Sequence, residues 1–417
     1  MTTNTSRVIA AGAIGNILEW YDFAIYGYFA AAIGRIFFPL EDPVAQVLSA
    51  FGIFAVGYLL RPIGGALVGY IGDQFGRRAA LTFSVAAMAI PTFLVGVLPG
   101  YAVIGIMAPV LLTALRMIQG LSVGGEYTTS IVFMVERAAP SRRGLIGAIA
   151  CCGAVAGILL GSATSTVLAA LMSPATLEHW GWRIPFLIGL LIGLAGFVLR
   201  RHMHEVPRVD KAERSPLLDT LREHSPLLAR LAGLSVFNAV SFYLLFVYVV
   251  SWLQLADGLA PERALEINTI SMVMLLLVIV SGGWLSDRVG RKPVLLAATA
   301  IGFLAGLPLF WLMHHTNPSL VLLGQMGFVL SVGLFLGPQP SLMVEAAPAS
   351  VRCTAIALGY NVTLGVIGGT SPLTATWLVH RTGNDLSPAF LIMAAGAVSF
   401  LTILRFGETS RMALEVT

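Results

Sequence analysis

The feature that most constrains this chain is an internal repeat. Residues 69–78, Gly-Tyr-Ile-Gly-Asp-Gln-Phe-Gly-Arg-Arg, return in altered form as residues 283–292, Gly-Trp-Leu-Ser-Asp-Arg-Val-Gly-Arg-Lys. A Glu…Pro…Arg pattern follows each copy, at 136–143 and at 345–352. The two copies are 214 residues apart, about half of the 417-residue chain. Two parallel copies of one module are typical of secondary transporters, so transport is favoured over other functions.

The composition indicates that the chain folds in a lipid bilayer. Hydrophobic residues make up 57% and charged residues 11%, whereas a soluble domain carries about 25% charged residues. Apolar runs recur near the roughly 20 residues that a membrane-spanning helix needs. We therefore predict an all-α membrane protein with twelve transmembrane helices in two six-helix bundles. The predicted helices span residues 8–38, 44–72, 79–98, 103–136, 144–172, 184–200, 231–255, 264–286, 293–313, 319–344, 353–379 and 388–405.

The distribution of lysine and arginine predicts the orientation of these helices. Nineteen of these residues fall at the termini and in the loops on the same side as the termini, and four fall in the opposite loops. Cytoplasmic loops carry the excess of positive charge, so both termini are predicted to be cytoplasmic. The net charge of +4 then reflects topology, and a nucleic-acid partner is not expected. Residues 1–6 are polar, and we expect an uncleaved first helix.

One polar stretch divides the chain into two halves. Residues 201–230 contain Pro207, Pro216 and Pro226 together with mixed charges, which is typical of a linker. We therefore predict an N-terminal six-helix bundle over 1–200, a cytoplasmic linker over 201–230 and a C-terminal six-helix bundle over 231–417.

The sequence offers no motif for nucleotide or zinc binding. It contains no P-loop and no HExxH, so ATP-driven transport and zinc-dependent hydrolysis lack support. Cys151, Cys152 and Cys353 lie in apolar helices, where packing is their default role. We predict that the protein is not an enzyme and has no catalytic residue, metal site or cofactor.

Five ionisable residues fall inside the predicted helices of the first half: Glu19, Asp22, Arg61, Arg116 and Glu126. Each would cost about 2.5–3.5 kcal/mol at the centre of a bilayer. The second half has none inside its predicted helices apart from their ends. These groups must be neutralised in pairs or in a hydrated cavity. The alternative to a functional role is that they form ion pairs that lock helices 1, 2 and 4 together.

The depth of these residues suggests their partners. Glu19, Arg61 and Glu126 stand at a similar distance from the cytoplasmic ends of their helices, and Asp22 lies one turn further out. Three carboxylates against two guanidinium groups leave one negative charge, which a single proton removes. We predict that Asp22 binds the transported proton, with Glu19 and Glu126 as the other candidates. Arg116 is predicted to hold a substrate carboxylate, because its fork donates two parallel hydrogen bonds.

Other polar and aromatic side chains are predicted to complete the substrate site. They lie in helices 1, 2 and 4 and in the second half, where neutral groups would contact the rest of the substrate. The predicted substrate-binding residues are Arg116, Arg61, Tyr26, Tyr127, Gln119, Asn238, Tyr243, Tyr360 and Asn361.

The repeated motif predicts a cytoplasmic gate. Asp73 is expected to meet the N-terminal end of helix 11, and Asp287 that of helix 5, because helix N-termini attract anions. Arg77 and Arg291 are expected to approach Glu136 and Glu345. The predicted gate comprises Asp73, Arg77, Arg78, Glu136, Arg143, Asp287, Arg291, Glu345 and Arg352.

Several motifs together resemble the metabolite:proton symporters of the major facilitator superfamily. They are residues 15–23 (Gly-Asn-Ile-Leu-Glu-Trp-Tyr-Asp-Phe), 60–65 (Leu-Arg-Pro-Ile-Gly-Gly), the 69–78 motif, 116–127, 180–186, 359–361 and 388–390. The resemblance implies a bacterial inner-membrane importer of a small polar metabolite, driven by protons. We expect a monomer to be functional, with the substrate, protons and the lipid bilayer as its partners.

The family's substrates include organic acids and osmolytes. In helix 4, Arg116 stands where osmolyte-type members carry lysine, which favours an organic acid. We therefore predict proton-coupled import of a mono-, di- or tricarboxylate by alternating access. Proton-coupled uptake of a zwitterionic osmolyte such as proline or betaine is the alternative, and efflux of a drug or metabolite by proton antiport is a more distant one.

Overall fold

The computed structural model describes residues 17–39, 42–64, 67, 77–122, 126–136, 138–201, 222–410, 412 and 414. Within these residues the chain forms twelve long helical segments joined by short loops, and the predicted all-α fold of two six-helix bundles is confirmed. Eight of the twelve are long and apolar enough to cross a membrane by length and composition. The segments are α1 (17–28 and Ala30–Phe37), α2 (Pro43–Gly64), α3 (Arg77–Val97), α4 (Met107–Ser122 and Glu126–Glu136), α5 (Pro140–Leu171), α6 (Arg183–Arg201), α7 (Ser225–Ala256), α8 (Pro261–Val289), α9 (Arg291–Met313), α10 (Pro318–Ala346), α11 (Arg352–Thr382) and α12 (Ser387–Leu404).

Local sequence signals fix where several helices begin. The Asp42 side chain accepts a hydrogen bond from the backbone N–H of Val44 at 2.9 Å, and proline follows it at the first helical position of α2. Asn317 caps α10 in the same way, through the N–H of Ser319 at 3.0 Å. A polar cap followed by proline satisfies N–H groups that have no partner inside the helix.

Two predicted boundaries need correction. The helix α7 begins at Ser225, so the last residues of the predicted linker are helical. Pro226 occupies the first turn of α7, a position that tolerates proline, and therefore starts a helix rather than interrupting one. Residues 202–221 of the predicted linker lie outside the described residues. The long helix α4 begins at Met107 and not at 103, because Gly105, with φ of 58°, ends a short helix over Tyr101–Ile104.

The two halves meet along α5 with α8 and along α2 with α11. Small residues allow the closest of these approaches. A Cβ on Gly283 of α8 would lie 2.5 Å from the backbone oxygen of Gly144 of α5, so a larger residue there would force the helices apart.

Helical geometry changes in the middle of α7 and α11. One π-helical turn covers Leu244–Tyr248 and another covers Leu364–Gly368. Such turns inside α-helices are frequent at functional sites. Here they adjoin the space between the halves, where Tyr243 and Leu364 line a cavity.

Candidate functional site

Asp22 lies at the centre of a buried polar network that joins α1, α3 and α4. Its carboxylate accepts hydrogen bonds from Arg116 Nη1 at 2.5 Å, Gln119 Nε2 at 2.8 Å and Thr92 Oγ1 at 2.7 Å. All four residues are buried. An ionised carboxylate removed from water needs such donors, and three of them, one cationic, satisfy it.

Arg116 lies beside Asp22 inside the first half. Its guanidinium binds Asp22 and the Gln119 amide oxygen, and its Cζ lies 3.9 Å from the ring centroid of Tyr26. The Tyr26 hydroxyl donates to the backbone oxygen of Ala50 at 3.0 Å. Arg116, Gln119 and Tyr26 therefore surround Asp22 and do not line the cavity between the halves. The physical reason is that a buried guanidinium takes the nearest anion, and Asp22 supplies it.

Glu19 and Arg61 form a second buried ion pair one turn away along α1. Arg61 Nη2 donates to Glu19 Oε1 at 2.6 Å, with both side chains nearly inaccessible to solvent. The Arg61 guanidinium also lies over the rings of Tyr58, Trp20 and Phe23, with Cζ 5.0, 5.7 and 5.8 Å from their centroids. Glu19 and Arg61 are therefore close together, as predicted. The Glu19–Arg61 pair links α1 to α2 and the Asp22–Arg116 pair links α1 to α4, which is what the alternative interpretation, ion pairs between helices, expects.

A small cavity lies between the two halves, beside the Glu19–Arg61 pair. The volume of the cavity is about 20 Å³, which corresponds to about one water molecule. No described residue of its lining carries a formal charge. The lining consists of Trp20, Tyr127, Cys151, Ala154, Val155, Asn238, Phe242, Tyr243, Leu336, Tyr360 and Leu364.

Four of the predicted substrate-binding residues lie on this lining: Tyr127, Asn238, Tyr243 and Tyr360. Tyr127 and Tyr360 face each other across the halves with ring centroids 5.2 Å apart, and Asn238 Nδ2 lies 3.4 Å from the Tyr360 hydroxyl. Asn361, next to Tyr360, does not line the cavity. Successive residues of a helix point in different directions, so only one of the two can face it.

Aromatic side chains close the cavity on the side opposite the predicted gate. The Tyr243 hydroxyl of α7 donates to the Tyr58 hydroxyl of α2 at 2.9 Å. Phe54 contacts the Tyr243 ring, and further out Phe51 packs on Tyr248 with centroids 5.8 Å apart. This contact between α2 and α7 closes the space toward the side that the charge distribution assigns as extracellular.

Charged residues close the opposite, cytoplasmic side. Asp287 at the end of α8 accepts hydrogen bonds from the backbone N–H groups of Gly144 and Leu145, at 2.8 and 2.9 Å. These groups form the N-terminus of α5, so the predicted contact between Asp287 and helix 5 is confirmed. Glu136 and Arg352 form an ion pair between the halves.

Within the second half, Arg291 binds the other two acids of the gate. It lies 2.7 Å from Asp287 and 3.1 Å from Glu345, the latter as predicted. Glu136 pairs with Arg352. The side chain of Arg77, its expected partner, lies outside the described residues. We call Glu136, Arg143, Asp287, Arg291, Glu345 and Arg352 the gate cluster.

The segment after α12 lies against the gate cluster. Glu408 accepts hydrogen bonds from the backbone N–H groups of Arg291 at 2.8 Å and Lys292 at 3.0 Å, and Thr409 donates to Glu345 at 2.6 Å. Arg143 of the first half donates to the backbone oxygen of Met412 at 2.9 Å. Partial burial raises the pKa of Glu408, but the N–H donors of Ser410, Arg291 and Lys292 outweigh it, and the net pKa is lowered.

Some predicted site residues cannot be placed, and some important ones were not predicted. Asp73 and the side chains of Arg78 and Glu126 lie outside the described residues. Trp20, Tyr58 and Thr92 were missed, although each contacts a predicted charged residue or its partner. Two of the three could have been found from their place in the sequence, because Trp20 follows Glu19 directly and Tyr58 lies one turn before Arg61.

Known proteins are similar to this chain over nearly its whole length. Residues 12–372 match the family described as the Major Facilitator Superfamily. The chain is 33% identical to the proline/betaine transporter of Escherichia coli (strain K12), over 98% of this chain and 85% of that protein. It is also 33% identical to the glycine betaine/proline/ectoine/pipecolic acid transporter OusA of Dickeya dadantii (strain 3937), over 98% of this chain and 84% of that protein.

Solved structures agree with the fold. The crystal structure of a D-xylose-proton symporter matches with a TM-score of 0.79 at 20% identity, over 99% of this chain and 100% of that one. An inward-open structure of the xylose transporter XylE from E. coli matches with a TM-score of 0.72 at 20% identity, over 95% of this chain and 94% of that one. At this identity the likeness concerns the fold alone.

Proposed function

Since this chain belongs to the Major Facilitator Superfamily, we propose that it is a proton-coupled importer of a small zwitterionic osmolyte of the betaine or proline type. It is a multi-pass protein of the bacterial inner membrane, and its resemblance to the metabolite:proton symporters of the superfamily is confirmed. Relatives that are 33% identical over nearly the whole chain are named as proline/betaine transporters, which supports this substrate class. We expect the monomer to be the functional unit.

The observation that carries the proposal is the chemistry of the cavity lining. Five of its eleven residues are aromatic: Trp20, Tyr127, Phe242, Tyr243 and Tyr360. The faces of such rings attract a quaternary or secondary ammonium group, and clusters of them are the usual recognition site for choline-like cations. A net-neutral zwitterion also enters a lining without formal charge at a lower desolvation cost than an anion.

The same observation weakens the organic-acid interpretation. A di- or tricarboxylate needs several cationic donors that are not already neutralised. Arg116 is bound to Asp22 and Arg61 to Glu19, so two or three carboxylates would find no set of unneutralised guanidinium groups among these arginines. Arg116, which stands where osmolyte-type members carry lysine, is therefore engaged with Asp22, and its presence no longer favours an organic acid.

The buried Asp22–Arg116 pair supports the coupling to protons. When Asp22 is ionised, the pair is neutral and holds α1 against α4. Protonation of Asp22 removes its charge and leaves a buried cation that must find other partners. The relative positions of α1 and α4 would then change, and this change would favour the opposite orientation of the halves. Alternating closure by the α2–α7 aromatic contact and by the gate cluster would complete the transport cycle.

Ligand-dependent thermal stabilisation tests the substrate class. A ligand that binds only the folded protein stabilises it by an amount that grows with its concentration over Kd. Glycine betaine and proline should raise the melting temperature of the purified protein in a concentration-dependent manner, whereas 2-oxoglutarate, citrate and shikimate should not. Stabilisation by a carboxylate alone would contradict the proposal and restore the organic-acid interpretation.

A further inference from the structure

Three buried hydrogen-bond donors lie beside the cavity without a partner among the described residues. They are Nε1 of Trp20 and the Nε and Nη1 atoms of Arg61. Trp20 is 3% exposed and Arg61 is 2% exposed. Buried polar groups are nearly always hydrogen-bonded, and each unsatisfied one costs about 1–3 kcal/mol. A cluster of such donors next to a cavity between transporter halves indicates a site for an acceptor.

The donors lie close to one another and to the lining. The Arg61 guanidinium is 5.7 Å from the Trp20 ring, and Trp20 itself lines the cavity. Tyr243, also on the lining, stacks on Trp20 with centroids 6.3 Å apart and is hydrogen-bonded to Tyr58, whose ring lies 5.0 Å from Arg61. The side chains of Trp20 and Tyr243 thus connect Arg61 to the cavity lining.

We propose that Arg61 and the indole N–H of Trp20 form a subsite for the substrate's carboxylate, and that Glu19 competes with this carboxylate for Arg61. This inference rests on the proposed function, because it assigns the two ends of a zwitterion to two parts of one cavity. The cationic end contacts the aromatic rings of Tyr127, Phe242 and Tyr360. The anionic end takes hydrogen bonds from Arg61 and Trp20.

The competition follows from the geometry of the ion pair. Glu19 binds Nη2 of Arg61, at 2.6 Å, while Nε and Nη1 have no hydrogen-bond partner among the described residues. A second carboxylate on the same guanidinium places two negative charges against one positive charge, which costs free energy at a depth where water is scarce. Binding of the zwitterion is therefore weakened by the charge of Glu19 and strengthened when that charge is removed.

A ligand–variant comparison tests the subsite. Glycine betaine and choline share a trimethylammonium group, but only betaine has a carboxylate. Their Kd values would be measured by titration calorimetry on the purified wild type and on Glu19→Gln, Arg61→Gln, Trp20→Phe and Trp182→Phe. Trp182 is a matched control, because it is also fully buried with an unpartnered indole N–H among the described residues, but it packs on Phe37 and Phe186 away from the cavity.

Arg61→Gln should weaken betaine binding about 10- to 100-fold, the usual value of a hydrogen bond to a charged group, and leave choline within about twofold. Trp20→Phe, which keeps an aromatic ring, should weaken betaine binding about 3- to 10-fold. Glu19→Gln, which preserves the side-chain shape, should tighten betaine binding about tenfold without affecting choline. Trp182→Phe should change neither Kd.

Two outcomes separate this inference from the proposed function. If the wild type binds betaine but Glu19→Gln does not tighten it, or if Arg61→Gln weakens betaine and choline equally, the carboxylate subsite is wrong and the proposed function stands. If the wild type binds neither betaine nor proline, the proposed function itself is contradicted. If Arg61→Gln does not fold, the betaine Kd of Glu19→Gln still tests the carboxylate subsite.

Discussion

The carboxylate of Asp22 lies 2.5 Å from Nη1 of Arg116, and neither side chain has any exposure to solvent. The pair joins α1 to α4 inside the first half and is separate from the cavity lining. Each charge has lost its hydration on burial, so removing one of the two charges leaves the other buried without compensation. This dependence makes the pair suited to convert a protonation into a movement of helices.

Neutralising Asp22 should uncouple transport. Asp22→Asn fixes the side chain in an uncharged form, so a proton gradient can no longer act through it. In proteoliposomes, exchange of labelled betaine between preloaded and external pools should persist, while accumulation driven by a pH gradient should fall at least tenfold. Glu266→Gln, which removes an exposed ion pair with Arg263, is the control and should behave as wild type. Normal accumulation by Asp22→Asn would move the proton site to Glu19 or Glu126.

Replacing Arg116 by lysine should alter coupling more than substrate affinity. Lysine keeps the positive charge but lacks the planar fork that contacts Asp22 and Gln119 together. The betaine Kd of Arg116→Lys should stay within about threefold of the wild-type value, because Arg116 is not on the cavity lining. The ratio of accumulated to external betaine should decrease. A loss of affinity of 100-fold would instead support the role of substrate clamp predicted from the sequence.

Removing the charge of Asp287 should weaken the cytoplasmic closure. Asp287→Asn reduces the interaction with the N-terminus of α5 and with Arg291, each worth about 1 kcal/mol or more. The inward-open population should rise about tenfold. The readout is alkylation of Cys151, which lines the cavity, by a maleimide supplied from the cytoplasmic side in a Cys152→Ser, Cys353→Ser background. Betaine affinity should remain within about threefold, and unchanged alkylation would contradict the gate assignment.

The segment after α12 should stabilise the protein in a pH-dependent way through Glu408. Its pKa is lowered in the folded protein, so its ionised form contributes stability above the ordinary pKa of glutamate. This contribution is lost as the pH falls through the lowered folded-state value. Glu408→Gln should therefore lower the melting temperature at pH 7, and the difference from wild type should shrink on acidification below pH 4. A difference that is independent of pH would show that Glu408 does not act through its charge.

The sequence predicts the architecture better than the roles of individual side chains. The repeat and the apolar periodicity predict twelve helices and the contact of Asp287 with α5, because both depend on local pattern and duplication. The rotation of each helix about its axis depends on packing against several neighbours. For this reason the direct contact of Arg116 with Asp22 is not predicted from the sequence, and Trp20 and Tyr58 are not assigned at all.

Neutral aromatic residues are the hardest to assign from sequence. In an apolar helix, Phe242 has no feature that separates a residue of the cavity lining from ordinary packing. The π-helical turns at Leu244–Tyr248 and Leu364–Gly368 displace the residues that follow them, which a regular 3.6-residue period does not anticipate. The preference for an organic acid rests on Arg116, which stands where osmolyte-type members carry lysine, whereas the proposed function rests on the uncharged cavity lining and on the relatives.

The proposed transport activity is tested most directly by uptake into proteoliposomes that contain only the purified protein. With an external pH lower than the internal pH, labelled glycine betaine and proline should accumulate above their external concentration. A protonophore should abolish this accumulation, and unlabelled citrate or 2-oxoglutarate should not compete. Accumulation of a di- or tricarboxylate under the same gradient, without uptake of either osmolyte, would contradict the proposed function.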